Sequence, residues 1–182
     1  MSAWISEWQT KEYMNAKITN FNIVDAYLNF SPKRILDIGC GLAYESQWFQ
    51  EKYTSELFLV DGNFETKKRQ IKYGPAEDFG FYTDINQLIS YWDGQGLNYN
   101  FIDATNPYIK PDIKFDLVYS FLSCGFHYPA NTYKEFIQKH TDENSTIIMD
   151  LRFVTKQSDI EIVDIIHEDR KSQKAVIKFI DS

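Results

Sequence analysis

Ile35-Leu36-Asp37-Ile38-Gly39-Cys40-Gly41-Leu42-Ala43 carries the strongest structural signal in the chain. Its apolar start predicts a strand, its glycines a tight turn, and the residues after them the start of a helix. Glycine suits such a turn because it lets the backbone bend sharply and lets a ligand approach closely. By itself the pattern says only that a nucleotide-type cofactor is in question. Two details narrow it. The dinucleotide fingerprint calls for a third glycine where Tyr44 stands. Asp37 comes two residues before the first glycine, and a carboxylate there is poorly suited to cradling a pyrophosphate. It suits a cationic amino-acid moiety, for which an acid can organise the loop and favour an ammonium group.

On either side of this stretch, helical and strand patterns alternate, which predicts a parallel sheet with helices on both faces. Residues 3–29 read as one or two helices. Trp4 and Trp8 share a face, Phe21, Val24 and Leu28 recur at helical spacing, and Thr19 is an N-cap for a second piece. Ser31-Pro32 ends that segment. Strands are predicted at 34–38, 56–61, 99–103, 115–120 and 145–151. Leu57-Phe58-Leu59-Val60 is apolar on both faces, as a buried parallel strand requires. Helices are predicted at about 43–53, at 84–92 with Asp84 as N-cap, and at 130–140. A short helix over 66–71 precedes a break at Gly74-Pro75. The β-rich runs 160–167 and 175–180 form a closing antiparallel hairpin, although the first can also be read as helix. The expectation is one α/β domain over 1–182, with 1–30 as an N-terminal helical cap. It is a three-layer, Rossmann-like sandwich whose seven-stranded sheet is mostly parallel.

Composition limits the function classes. The 182 residues are 43% hydrophobic and 25% charged, ordinary for a globular chain. The net charge of −7 argues against nucleic acid, whose binders draw affinity from neutralising phosphates. The basic runs 67–69 and 170–174 read as a solvated helix face and a solvated turn. Cys40 and Cys124 have neither disulfide nor zinc spacing. No stretch approaches the roughly 20 apolar residues of a membrane span. Residues 1–9 lack the pattern of a signal peptide, so the expected setting is cytoplasmic.

The glycine stretch resembles the first motif of the class I S-adenosylmethionine-dependent methyltransferases, with Ala43 in place of a third small glycine. The resemblance continues in register along nearly the whole chain. Asp61 ends the second strand, 22 residues beyond Gly39. The resemblance implies that Asp61, with Gly62 beside it, accepts hydrogen bonds from the ribose hydroxyls of the cofactor. The alternative is that Asp61 merely caps a strand end. Asp103-Ala104 stand where the family places an acid near the adenine amino group. Phe115-Asp116-Leu117-Val118-Tyr119-Ser120 resembles the fourth-strand motif. The implied cofactor is S-adenosylmethionine, and the implied cofactor-binding residues are Asp37, Gly39, Cys40, Gly41, Asp61, Gly62, Asp103, Ala104 and Ser120. A metal site is not expected.

In that family the loop after the fourth strand, here 120–129, faces the transferred methyl group. Methyl transfer to a hydroxyl needs alignment of the acceptor and removal of a proton. His127, with an unperturbed pKa of about 6.5, is the candidate base; the alternative is a histidine that holds the loop. Phe126 and Tyr128 can wall the pocket, and Cys124 reads as a small buried residue. Asn106-Pro107-Tyr108 resembles an amino-methylation motif but follows the third strand and has one proline, which argues against base methylation. The favoured acceptor is a small molecule with a hydroxyl group, sugar-like in character. The competing readings are action on nucleic acid or protein, and a non-catalytic cofactor-binding module. The short segment 152–159 leaves room for a homo-oligomer contact.

Overall fold

The computed structural model describes residues 9–63 and 83–180. The expected helix at 66–71, the break at Gly74-Pro75, the basic run 67–69 and the tryptophans Trp4 and Trp8 lie outside the described residues. In chain order the elements are α1 (Lys11–Tyr27), β1 (Arg34–Ile38), α2 (Tyr44–Tyr53), β2 (Glu56–Asp61), α3 (Ile85–Gly94), β3 (Tyr99–Asp103) and β4 (Leu117–Ser120). A 3₁₀ turn (Ala130–Tyr133) then runs into α4 (Lys134–Lys139), followed by β5 (Thr146–Arg152), β6 (Ile160–Glu168) and β7 (Ser172–Phe179).

The seven strands form one sheet in the order β3-β2-β1-β4-β5-β7-β6. β1 pairs in parallel with both β2 and β4, and β7 is antiparallel to both of its neighbours. The chain leaves β1 in one direction to build β2 and β3, then crosses back to add β4 and β5 on the other side. The order therefore reverses at β1, and its carboxyl end opens the crevice where such sheets take ligands.

Strand alternation sorts the core into two faces. Ile35, Leu57, Leu59, Leu117, Tyr119 and Ile148 pack against Val24 of α1, Phe49 of α2, and Leu88 and Trp92 of α3. Leu36, Ile38, Phe58, Val60, Val118 and Met149 pack against Tyr133, Phe136 and Ile137. The three-layer α/β expectation is met, including the closing hairpin.

Four local expectations are corrected. Thr19 does not cap a second helix: α1 starts from Thr10, which accepts from Tyr13 N, and Thr19 is interior, its hydroxyl donating to Asn15 O at 2.9 Å. β4 begins at Leu117, because Phe115 N donates to His140 O while the Asp116 carboxylate accepts from Lys33 and Arg34 N. The helix expected at 130–140 is divided, its first turn tightened by the Thr132 hydroxyl donating to Pro129 O at 2.6 Å. The hairpin turn is shorter than expected: Asp169 Oδ1 accepts from Lys171 N and Ser172 N, which draws Ser172 to Lys174 into β7. Lys174 is consequently buried and does not belong to a solvated turn.

Trp92 links packing to the glycine turn. It is fully buried, its ring meets Tyr99 edge-on at 5.0 Å, and its Nε1–H donates to Gly41 O at 3.1 Å. Trp92→Ala is expected to cost about 3–5 kcal/mol in urea unfolding through the cavity it leaves. Trp92→Phe keeps most of the packing but orphans the Gly41 carbonyl, for about 1–3 kcal/mol. Wild-type stability in Trp92→Phe would show that the hydrogen bond to the turn contributes nothing.

Candidate functional site

The turn after β1 is pinned to the end of β2. Gly39 N and Cys40 N both donate to Val60 O, at 2.8 and 3.2 Å, and Gly41 N donates to Asp61 Oδ2 at 2.9 Å. Gly39 and Gly41 have φ of 74° and 51°, a region glycine enters without cost. A Cβ on Gly39 would fall 2.0 Å from Ser123 Oγ, so the loop after β4 lies directly on this glycine.

Asp61 is the centre of the cluster. Its Oδ1 accepts from Gly62 N at 2.7 Å and from the Thr83 hydroxyl at 3.0 Å. Cys40 Sγ is 3.9 Å from Oδ2, and Ala104 N donates to the Asp61 carbonyl at 2.9 Å. Burial raises the carboxyl above the usual carboxylate range, against the opposing pull of the Gly41, Gly62 and Thr83 donors. Burial, then the Asp61 and Asp37 charges, push the Cys40 thiol well up, so it is not a nucleophile at neutral pH.

Asp37 faces the other way, toward the helices α1 and α2. Its Oδ2 accepts from the Ser46 hydroxyl at 2.8 Å and from the Tyr119 hydroxyl at 3.1 Å. Burial, and then the neighbouring Glu45 carboxylate, raise the Asp37 carboxyl to about 7. Glu45 is itself buried and is held by Lys17 Nζ at 3.1 Å and Asn20 Nδ2 at 3.0 Å, both from α1. Burial pulls the Lys17 ammonium down, but the Glu45, Tyr13 and Asp37 neighbours outweigh it and hold it above its ordinary value.

The remaining sequence-derived residues separate. Ser120 is buried and internally bonded, its hydroxyl donating to Ile38 O at 2.8 Å and accepting from Cys124 N at 2.9 Å. Asp103 is exposed, and its Oδ1 accepts from Thr105 N and the Thr105 hydroxyl, the geometry of a turn. His127 is exposed on the loop after β4, with its ring edge-on to Phe126 at 5.1 Å. Burial and then the Arg152 guanidinium lower its pKa. The structure thus gathers Cys40, Gly41, Asp61, Gly62 and Ala104 into one bonded group, joins Gly39 and Ser120 to its β1 and β4 sides, and sets Asp37 in a separate polar layer. Asp103 and His127 stand at the rim. No group of three or more metal-ligating side chains occurs among the described residues.

Sequence reading missed Lys17, Asn20, Glu45, Ser46, Tyr119, Thr83 and Ser123. Lys17, Asn20 and Val24 are the buried stripe of α1, spaced three and four apart. That spacing was legible, but polar residues do not announce burial. Ser123 carries no pattern at all, since only the path of its loop brings it onto Gly39.

No protein-family model matches the chain, and no curated protein matches it in sequence. Solved structures do resemble it. The PH0226 protein of Pyrococcus horikoshii OT3 is 12% identical with a TM-score of 0.67, over 94% of this chain and 92% of that one. A point mutant of MtNAS, solved with S-adenosylmethionine, is 12% identical with a TM-score of 0.65, over 98% of this chain and 66% of that one. The plantazolicin methyltransferase BpumL, solved with SAH, is 16% identical with a TM-score of 0.55. That match covers 81% of this chain, which spans about half (51%) of BpumL. This is the class I methyltransferase fold. Among the described residues no helix of the methyltransferase-like domain is long and apolar enough to cross a membrane.

The raised Asp37 carboxyl gives a signed pH dependence. Its folded pKa of about 7 lies above the ordinary 3.8. The stability it contributes is therefore complete below about pH 4 and is lost as pH rises to about 7, because the unfolded chain ionises first. Asp37→Asn removes this dependence. The melting temperature of the variant relative to wild type is expected to rise between pH 4 and 7 and then level off. A difference that stays flat across that range would contradict the assignment.

Proposed function

We propose that the chain is an S-adenosylmethionine-dependent methyltransferase acting on the hydroxyl group of a small, sugar-like acceptor. The observation that carries the cofactor reading is the Asp61 carboxylate at the cleft end of β2. Three firm donors, Gly41 N, Gly62 N and the Thr83 hydroxyl, fix its orientation. A carboxylate offers about four lone-pair positions, so one remains for a ligand hydroxyl once the weak Cys40 thiol contact is displaced. The residues present therefore fit one hydroxyl of a ribose. The Cβ-free turn suits close approach of such a ligand at Gly41, since Ser123 already fills the space over Gly39.

On this reading Asp61 and Gly62 hold the ribose side, Asp103 and Ala104 the base side, and Gly39, Cys40, Gly41 and Ser120 form the wall between. Asp37 lies in the polar layer behind the amino-acid side, where a ligand ammonium would favour its charged form. The cofactor supplies an electrophilic methyl group on a positively charged sulfur. The loop after β4 orients the acceptor, and His127 takes the proton from its hydroxyl. The lowered pKa of His127 keeps the imidazole neutral at pH 7, the state that accepts a proton.

Thermal shifts with S-adenosylmethionine, S-adenosylhomocysteine and NAD test the cofactor. At 100 times its dissociation constant a ligand stabilises the native state by about 2.7 kcal/mol. The two sulfur compounds are expected to stabilise the wild type, NAD is not, and Asp61→Asn is expected to weaken binding at least tenfold. Stabilisation by NAD alone would sink the reading. With an acceptor found by radiolabelled methyl transfer, His127→Ala is expected to lose turnover at least tenfold while cofactor affinity is unchanged. Wild-type turnover is expected to fall as pH drops and the imidazole protonates. A variant that keeps wild-type turnover would remove His127 from the chemistry.

A further inference from the structure

A second buried polar site lies beside the one just described. Asp150 of β5 and Lys174 of β7 are register partners, and both are buried. Their nearest approach, Lys174 Nζ to Asp150 Oδ2, is 3.8 Å, too long for a hydrogen bond. Asp150 Oδ1 has no hydrogen-bond partner among the described residues. The ammonium stands 5.7 Å from the centre of the Phe121 ring. A buried ion pair is ordinarily completed by further hydrogen bonds to its remaining donors and lone pairs. Here Asp150 Oδ1 is buried without one.

The position ties this pair to the cofactor cleft. Ser120, the last residue of β4, is in register with Met149, so Asp150 stands one residue further toward the carboxyl edge. Contacts run without a break from the Asp37 layer to the pair. Asp37 Oδ2 accepts from the Tyr119 hydroxyl at 3.1 Å, Tyr119 stacks on Phe121 at 5.1 Å, and Phe121 meets the Lys174 ammonium. Ile148 and Val176, two residues from Asp150 and Lys174, belong to the face covered by α1 to α3, so the pair projects to that face. α1 touches α2 on one side and β6 on the other, and therefore crosses over β4, β5 and β7. Two of its three buried residues, Lys17 and Asn20, are polar, so the cover over this region is fastened mainly by polar contacts.

Charge selects the ligand. A carboxylate beside the pair would meet Asp150, and an ammonium would meet Lys174. A neutral hydroxyl can donate to Asp150 Oδ1 and accept from Lys174 Nζ at once. The apolar Phe121 ring lies beside the ammonium. We propose that Asp150, Lys174 and Phe121 form an acceptor subsite that anchors a neutral hydroxyl of a polyol or sugar beneath α1. Its role as an acceptor subsite rests on the methyltransferase reading; its binding chemistry does not.

The test titrates glycerol, myo-inositol and D-glucose into the wild-type protein, with and without S-adenosylhomocysteine, and follows backbone amide shifts by NMR. At least one polyol is expected to bind saturably and to shift the amides of Phe121, Asp150 and Lys174. The paired variant Asp150→Leu with Lys174→Met replaces the ion pair by apolar groups of similar size. It is expected to keep its response to S-adenosylhomocysteine and to lose polyol affinity at least tenfold. No saturable binding, which would leave a pair bridged by water only, overturns the proposal, as do shifts confined to other residues. Equal affinity in the paired variant overturns it too. Polyol binding without any response to S-adenosylhomocysteine supports the subsite and removes the cofactor reading instead. Should the paired variant fail to fold, the wild-type shift map alone decides.

Discussion

Gly39, Cys40 and Gly41 all direct their backbone N–H groups at the end of β2, and the geometry of the cleft follows from that. Two of the three reach the Val60 carbonyl and the third reaches the Asp61 side chain. A buried N–H left without a partner costs about 1–3 kcal/mol, so the turn has little freedom to take another path. Asp61 in turn receives Gly62 and Thr83, so one carboxylate joins the β1 turn to the segments that leave β2 and enter α3. The helix that follows the turn starts from Ala43 in the left-handed region, with φ of 54° and no side-chain cap. Such a conformation costs a non-glycine residue about 1–2 kcal/mol. The pinned turn and the buried Trp92 bond to Gly41 offset it.

Beneath α1 the protein maintains a layer of charge that an apolar interface would not need. Lys17, Asn20, Glu45, Ser46, Asp37 and Tyr119 are all buried there and are linked by hydrogen bonds or ion pairs. Desolvating two carboxylates and one ammonium carries a penalty of several kcal/mol per ion, which only close pairing offsets. The consequence appears in the ionisation of the layer. Lys17 stays charged because Glu45 is 3.1 Å away, while Asp37, without a cation of its own, is driven toward its neutral form. A cationic ligand group near Asp37 would reverse that drive, which is how burial and cofactor charge become coupled.

The loop after β4 closes the other side of the cleft by backbone means. Leu122 has φ of 55° and Gly125 has φ of 88°, both in the left-handed region. Ser123 then rests on Gly39 and bonds the Tyr128 hydroxyl at 2.7 Å. The far end of the loop is fixed by the segment after β5. Gln157 Nε2 donates to Gly125 O and the Thr155 hydroxyl donates to Phe126 O, both at 2.7 Å. The short segment 152–159 therefore acts as the brace for the loop that bears His127.

The strands, the glycine turn and the order of the layers were legible in the amino-acid sequence. Those features depend on local patterns: Leu57 to Val60 is apolar at every position, Gly39 and Gly41 mark a turn, and Asp84 caps α3 as read. The places where local reading failed are those where a distant partner intervened. Phe115 left the β4 ladder because His140 took its N–H, and Lys174 entered the core because Asp150 lay across the sheet from it. It took the folded chain to assign Ser46 and Tyr119 to Asp37 and the turn to Asp61. Strand and helix periodicity fix which way a side chain points, whereas the partner of a buried polar group is chosen by the crossing of elements far apart in the chain.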